Sequence, residues 1–240
     1  MIYGSGQYRY ELVDGWLKYP EGYAILDVGG ISIDAQDRVY VMNRSGAHPV
    51  NIFDRQGNFL RSWGEGYFKR PHGSFITPDQ LIYIADDNRH IVSKFTLDGK
   101  LLSVLGNADQ PSDTGSVWEG NLNQKLDSIK RAGPPFNRPT AAVPAPSGEI
   151  YVSDGYGNTR VHKFSADGKL LLSWGEPGNK PGQFRLPHNI KMDKLGRLWV
   201  VDRENRRIQI FNTNGEFITQ WTDLIRPTTV SFDEEDTVYI

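Results

Sequence analysis

RLWVVDRENRRIQIFNTNGEFITQW, residues 197–221, decides the fold. An aromatic and aliphatic run, RLWVVDR, is followed by a second, RIQIFN, then by a turn holding Gly215, then by a third, EFITQWT, with Trp221 near its end. Each run has the length of a β-strand, and the Gly, Asp and Asn residues between them are turn formers, so the segment reads as antiparallel strands joined by tight turns. The same order recurs on either side. RVYVMNR (38–44), LIYIADD (81–87) and EIYVSDG (149–155) match RLWVVDR, and each leads into PVNIFD, IVSKFT or RVHKFS, a turn at Gly57, Gly99 or Gly168, and NFLRSWG, KLLSVLG or KLLLSWG. TVYI (237–240) opens a fifth copy. One further short apolar strand precedes each aromatic pair, which makes the unit four strands.

The aromatic landmarks Tyr40, Tyr83, Tyr151, Trp199 and Tyr239 are spaced 43, 68, 48 and 40 residues apart. A four-stranded propeller blade occupies about 40–45 residues. The chain is therefore predicted to be all-β, one β-propeller domain over residues 1–240 with about four and a half blades, incomplete at its C-terminus. The long interval predicts an inserted loop at 107–136 between blades two and three; it holds Pro111, Gly115, Pro134 and Pro135, and NLNQKLDSIKR is its helical-looking part. Gly and Pro supply 39 of 240 residues, which suits many turns and few helices.

The net charge is −2, with both signs interspersed, which argues against a nucleic-acid partner. The absence of cysteine removes disulfides and thiolate metal sites and leaves His, carboxylates and backbone oxygens as possible ligands. The N-terminal MIYGSGQYRYELVDGW lacks the apolar run of a secretory signal, and no stretch approaches the ~20 apolar residues of a membrane span. The expectation is a protein without a membrane partner, cytoplasmic, or exported with a signal that this chain does not carry.

The repeat register places candidate site residues. Eleven positions before each landmark stand Gly29, His72, Thr140, His188 and Thr228. A blade's first strand lines the channel, so His72 and His188, on alternate blades, converge at one end of the axis. In a six-bladed ring a third histidine at the same place, beyond residue 240, would complete a three-His site with an open position, as in catalytic zinc centres. The loop after the second strand returns to the same end. Four past the landmark it carries Arg44 and Arg203, and five past it Tyr156. Two arginines can grip a carboxylate by paired hydrogen bonds, and a tyrosine beside a metal can serve as a base. Gly155 and Gly157 suggest a mobile, exposed setting for Tyr156. The bland alternative for Arg44 and Arg203 is bracing of neighbouring blades through Asp86, Asp154 or Asp202. His48, His90 and His162 are expected to be solvent-facing or structural, and Trp63, Trp174, Trp221, Phe53, Phe95, Phe164 and Phe211 to pack between blades.

YVSDGYGNTRVHKF followed by RLWVVDRENRRIQIF resembles the NHL repeat. More narrowly, the chain resembles the peptidyl-α-hydroxyglycine α-amidating lyases, through Arg44 after VYVMN, RPHG (70–73), DGYGNTR (154–160), FRLPHN (184–189) and DRENRRIQ (202–209), in the family's order over blades one to four. The resemblance implies a six-bladed ring in the full-length protein and a small peptide-like substrate with a terminal carboxylate, cleaved at the N–Cα bond of α-hydroxyglycine to a peptide amide and glyoxylate. It implies Tyr156 as the base, zinc on His72 and His188, Arg44 and Arg203 at the carboxylate, and a structural calcium in the channel with an aspartate ligand on the sixth blade. Two other readings use the same residues differently: a metal-dependent hydrolase of a lactone or ester, or a non-catalytic NHL propeller that binds a protein partner. The run YELVDGW (10–16) is expected to serve as the outermost strand of the last blade, and the natural chain to continue for about one and a half blades at the blade length used above.

Overall fold

The computed structural model describes residues 2–23 and 25–240. Blade one comprises strands Val28–Ile33, Val39–Asn43, Val50–Phe53 and Phe59–Trp63. Pro71–Ile76, Leu81–Asp86, Ile91–Thr96 and Leu101–Leu105 form blade two. Blade three follows with Pro139–Pro144, Ile150–Asp154, Arg160–Phe164 and Leu170–Trp174, and blade four with Pro187–Met192, Leu198–Asp202, Arg207–Phe211 and Phe217–Trp221. Each is an antiparallel sheet whose strands lie side by side in chain order, and Ser231–Phe232 pairs with Val238–Tyr239 as the start of a fifth. First strands pack against first strands, blade one on two, two on three, three on four. The result is an open arc of a propeller, and on its free side Ile31 and Ile33 are each 60% exposed.

Packing explains the sequence pattern. A second strand has a neighbouring blade on each face, so Ile150–Asp154 and Leu198–Asp202 are buried at every position and read as unbroken apolar runs. The outermost strands face solvent; Phe217–Trp221 has no fully buried residue. Separate apolar clusters fill the gaps between blades: Tyr40, Ile52, Ile82 and Phe95 between one and two, Tyr83, Val92, Val152 and Phe164 between two and three, Tyr151, Val161, Val200 and Phe211 between three and four. Phe95, Phe164 and Phe211 belong to this core, whereas Phe53, also buried, packs against Trp16, Tyr19 and Phe59, and the tryptophans lie at the periphery. Trp63 and Trp174 are half-buried, each resting on the turn glycine of the next blade: a Cβ on Gly99 or Gly215 would come within 2.8 Å of the indole. Trp221 meets Trp199 with ring centroids 5.0 Å apart yet stays 42% exposed, contrary to its expected place in the core.

The N-terminal run behaves differently from the expectation. Tyr8–Glu11 pairs with Ile2–Ser5 as a hairpin rather than with a blade, and Tyr10 meets the Tyr239 ring edge-on at 6.5 Å. Only Trp16, at the end of the run, takes an outer-strand position: it covers Gly57 of blade one as Trp63 covers Gly99 of blade two.

Two devices recur in every complete blade and fix the mouth of the channel. Pairing between the first and second strands slips at one place, between Val28 and Gly30, Pro71 and Ser74, Pro139 and Ala141, and Pro187 and Asn189. The residue left over is Gly29, Thr140 or His188, and in blade two His72 together with Gly73, opposite Ala85. A bulge re-aims a side chain and frees its backbone from the ladder, so the position eleven before the landmark turns toward the axis whatever the strand's alternation requires. The second device is a polar side chain three past the landmark. Asp86 accepts from the backbone N–H of Lys69 and Arg70, Asp154 from that of Asn137, and Asp202 from that of Arg185; Asn43 does the same for Leu26. Each clamps the chain entering its own blade, and a buried carboxylate receiving backbone donors holds a loop firmly.

Residues 107–136 separate the last strand of blade two from the first of blade three. They contain helix α1, Leu122–Asp127. Asn121 starts it with a capping box: its side chain accepts from the Gln124 N–H at 3.1 Å, and the Gln124 side chain accepts from the Asn121 N–H at 2.8 Å.

Candidate active site

Three aromatic rings meet where the bulges of blades two and four face the loop of blade three. The Tyr156 hydroxyl oxygen lies 3.3 Å from His72 Nε2 and 3.0 Å from His188 Nε2, and the imidazole centroids are 4.9 Å apart. Each histidine is oriented from behind by the next blade: His72 Nδ1 donates to the Thr140 carbonyl at 2.8 Å, and His188 Nδ1 to the Thr228 carbonyl at 2.7 Å. Both acceptors stand in the histidines' own register on the next blade, and at Thr140 the bulge leaves the carbonyl free of the ladder to receive His72. With each Nδ1 committed as a donor, both Nε2 atoms carry lone pairs toward the same point.

That arrangement is frustrated for protein alone. The phenol has one proton and faces two acceptors, so one Nε2 is left against an oxygen lone pair. A second proton on either ring would relieve this, but it is disfavoured. Burial holds His188 down to about 4, helped by Arg203, and burial together with His188 and Arg44 holds His72 well below the usual imidazole range. A divalent cation satisfies all three groups at once, and neutral imidazoles with oriented Nδ1–H groups are how proteins present zinc ligands. The residues present therefore fit a metal, with two histidines from this chain. Among the described residues no cluster of three His, Cys, Asp or Glu side chains exists to complete it.

Charge around the phenol is predominantly positive. The Arg203 guanidinium lies 5.7 Å from the Tyr156 ring centre and that of Arg70 5.4 Å. Arg203 is paired with Glu204 at 3.0 Å, which Arg226 shares at 2.8 Å. Arg70 is paired with buried Asp87 at 2.6 Å, and Arg138 stands 3.5 Å from the same carboxylate. Arg44 donates to the Pro71 carbonyl at 3.4 Å and lies 3.6 Å from Asp27, whose side chain is exposed. Among the described residues neither Arg44 nor Arg203 bonds to Asp86, Asp154 or Asp202; Arg44 reaches blade two through the Pro71 carbonyl instead, and Arg203 reaches Arg226 through Glu204.

The structure thus brings His72, His188, Tyr156, Arg44 and Arg203 to one mouth. It also corrects the setting of Tyr156, which is 7% exposed and packed with Leu126, Ile129 and Leu186 rather than mobile. Its flanking glycines serve close approach: a Cβ on Gly155 would stand 2.2 Å from the Pro187 carbonyl oxygen, and one on Gly157 2.2 Å from the Asn137 side chain. Gly155 thereby lets the blade-three loop press against blade four and reach His188. Arg70, Arg138, Glu204, Arg226 and Trp118 belong to the surroundings without having been singled out. Arg70, Arg138 and Arg226 share one register, two before His72, Thr140 and Thr228, and Glu204 stands five past its landmark as Tyr156 does, so counting could have marked all four; only Trp118, in the insertion, has no register. A cleft of about 720 Å³ between Phe75, Val143, Pro144 and Met192 contains none of these groups; convergent polar chemistry, not volume, locates the site.

The remaining histidines are structural. His162 is fully buried and bonds Ser173 through Nδ1 at 2.8 Å, His48 stacks on Tyr23 at 3.8 Å, and His90 Nδ1 accepts from the Arg138 N–H at 3.1 Å. Burial lowers His90 to about 4. His72, His90 and His188 therefore refuse protons that the unfolded chain accepts at a pKa of ~6.5, so stability is full above that pH and falls as pH drops toward about 4. Each histidine contributes up to about 1.4 kcal/mol per pH unit in that window. Urea unfolding with chelator present is expected to give a stability at pH 5 several kcal/mol below that at pH 7; equal values would show that these rings titrate normally when folded.

Residues 184–211 match the NHL repeat. NHL repeat-containing protein 3 of Homo sapiens is 32% identical over 226 residues, which are 89% of this chain and 60% of that protein. Peptidyl-alpha-hydroxyglycine alpha-amidating lyase 1 of Drosophila melanogaster is 32% identical over 181 residues, 69% of this chain and 29% of the lyase. Among solved structures, a nidogen/laminin complex superposes with a TM-score of 0.62 at 18% identity over 86% of this chain and 69% of that one. The chain is a partial β-propeller that carries an NHL repeat in its fourth blade, and it is similar in sequence both to proteins named for that repeat and to hydroxyglycine amidating lyases. It spans about 60% of the human NHL relative and 51% of the mouse one. Among the described residues no helix is long and apolar enough to cross a membrane.

Proposed function

We propose that the protein is a metal-dependent lyase that cleaves the N–Cα bond of a peptidyl-α-hydroxyglycine. The observation that carries this reading is the Tyr156 hydroxyl held between two oriented Nε2 atoms with arginines around it. Similarity to a Drosophila amidating lyase over 69% of this chain supports it. His72 and His188 would hold the metal, which as a Lewis acid polarises the substrate hydroxyl oxygen. By the same register, a third histidine on a sixth blade would donate its Nδ1–H to the carbonyl of Gly29.

The chain's own groups divide the remaining work. Arg44 and Arg203 bind the substrate carboxylate and keep it beside the phenol. Acting as a phenolate, its own proton released to solvent when the metal binds, Tyr156 would take the hydroxyl proton; the C–O bond becomes the aldehyde carbonyl of glyoxylate as the N–Cα bond breaks, and its electron pair leaves on the amide nitrogen, which takes that proton back from Tyr156 to give the peptide amide. The wall of Leu126, Ile129 and Leu186 keeps water from the back of the phenol, where it would weaken each electrostatic contact.

The test is release of glyoxylate from an acyl-hydroxyglycine peptide by full-length protein, with bound zinc measured alongside. Wild type is expected to bind zinc and release glyoxylate, and His188→Ala to lose both. Turnover of lactones but not of hydroxyglycine peptides would favour a hydrolase, and a metal-free protein without turnover would favour a binding propeller.

A further inference from the structure

The segment between blades two and three completes no sheet, yet its side chains build one wall of the mouth. Trp118 stands edge-on to Tyr156, with centroids 5.9 Å apart and planes at 86°. Arg138 stacks on the Trp118 ring at 3.8 Å, and Lys125 lies 4.7 Å from its centre. Trp118 and Leu122 pack against the cluster of Leu126, Ile129 and Leu186 that supports Tyr156. The wall is tied to its surroundings: Thr114 donates to the Gly157 carbonyl at 2.6 Å, and Asp127 pairs with Arg185 at 2.9 Å.

From the positions of these groups we infer that Trp118 determines specificity, contacting the side chain of the residue that precedes the hydroxyglycine. This rests on the lyase reading. The histidine side of the phenol is where the reacting hydroxyl belongs, and the arginine side takes the carboxylate. The rest of the peptide must leave along the remaining side, which Trp118 and the leucines of the insertion line. A half-buried indole fixed by Arg138 offers a rigid apolar surface at little entropic cost, so an aromatic or large apolar side chain is favoured there. Arg138 and Lys125 oppose a basic one.

Glycine-extended peptides lack the hydroxyl and cannot be cleaved, so they report binding alone. N-acetyl-Phe-Gly, N-acetyl-Gly-Gly and N-acetyl-Lys-Gly are titrated calorimetrically into full-length, zinc-supplemented wild type, Trp118→Ala and Trp118→Phe, and turnover of the matching hydroxyglycine peptides is measured beside them. Wild type is expected to bind the Phe peptide about tenfold tighter than the Gly peptide and the Lys peptide weakest, a range that one apolar contact can supply. Trp118→Ala should bring the Phe and Gly peptides within about twofold, with the turnover change in KM rather than kcat, while Trp118→Phe retains most of the preference. No preference in wild type, or one that survives Trp118→Ala, overturns the assignment. Preference in binding without glyoxylate from any hydroxyglycine peptide removes the lyase reading and leaves Trp118 as a peptide-binding residue.

Discussion

Tyr156→Phe is expected to lower kcat for glyoxylate release by about 10²–10⁴-fold, the usual contribution of a positioned acid–base group. The substitution removes one oxygen, the atom that lies 3.0 and 3.3 Å from the two Nε2 atoms. The ring keeps its contacts with Leu126, Ile129, Leu186 and Trp118, so the fold and the wall of the mouth stay in place. KM should change little, since the carboxylate is held by arginines that do not bond to the hydroxyl. Zinc content distinguishes the two ways in which the hydroxyl could matter. Retained zinc with lost turnover assigns it to proton transfer, whereas parallel loss of both assigns it to the metal. Undiminished turnover in the zinc-loaded full-length variant would falsify the assignment of Tyr156 as base.

Asp87→Ala is expected to carry the largest stability cost at the mouth, up to about 3–5 kcal/mol, because it leaves two part-buried cations without their buried counter-charge. Asp87 is fully buried, at 2.6 Å from Arg70 and 3.5 Å from Arg138. For a chain of this length that corresponds to a fall of roughly 6–20 °C in Tm. The effect should extend to the site, since Arg70 lies beside Tyr156 and Arg138 supports Trp118. Asp87→Asn keeps the shape and loses the charge, and it should fall between the two. A change in Tm below about 2 °C for the alanine variant, well under 1 kcal/mol at this size, would mean that water solvates the arginines and that the carboxylate is dispensable.

The repeat made the blades and the mouth legible because it is a counting rule. Once Tyr83 and Trp199 are landmarks, His72 and His188 fall at one offset and Arg44 and Arg203 at another, and an offset in a repeating blade is a place in space. The counting did not supply the cause: the histidines reach the axis through a bulge, which no periodicity announces. It also misread Tyr156, because Gly–Tyr–Gly is the same pattern whether the glycines permit motion or close approach. Trp118 was invisible for a different reason. It sits on the insertion, where there is no register, and its position comes from packing between segments far apart in the chain. Arg138 does have a register, two before Thr140 as Arg70 is two before His72, but counting does not show that it stacks on Trp118.

The clamp at the end of each second strand separates what must stay constant from what can vary. Asn43, Asp86, Asp154 and Asp202 each hold the backbone that enters their own blade, and the next residue is an arginine in blades one and four, Arg44 and Arg203, but Asp87 in blade two and Gly155 in blade three. The frame does not depend on which of them is present. Such a mouth can be rewritten one loop at a time without disturbing the scaffold. Chemistry on this architecture can therefore diverge through a handful of substitutions, and a propeller that keeps every clamp can still lose the reaction, or acquire another, by exchanging the residue beside it.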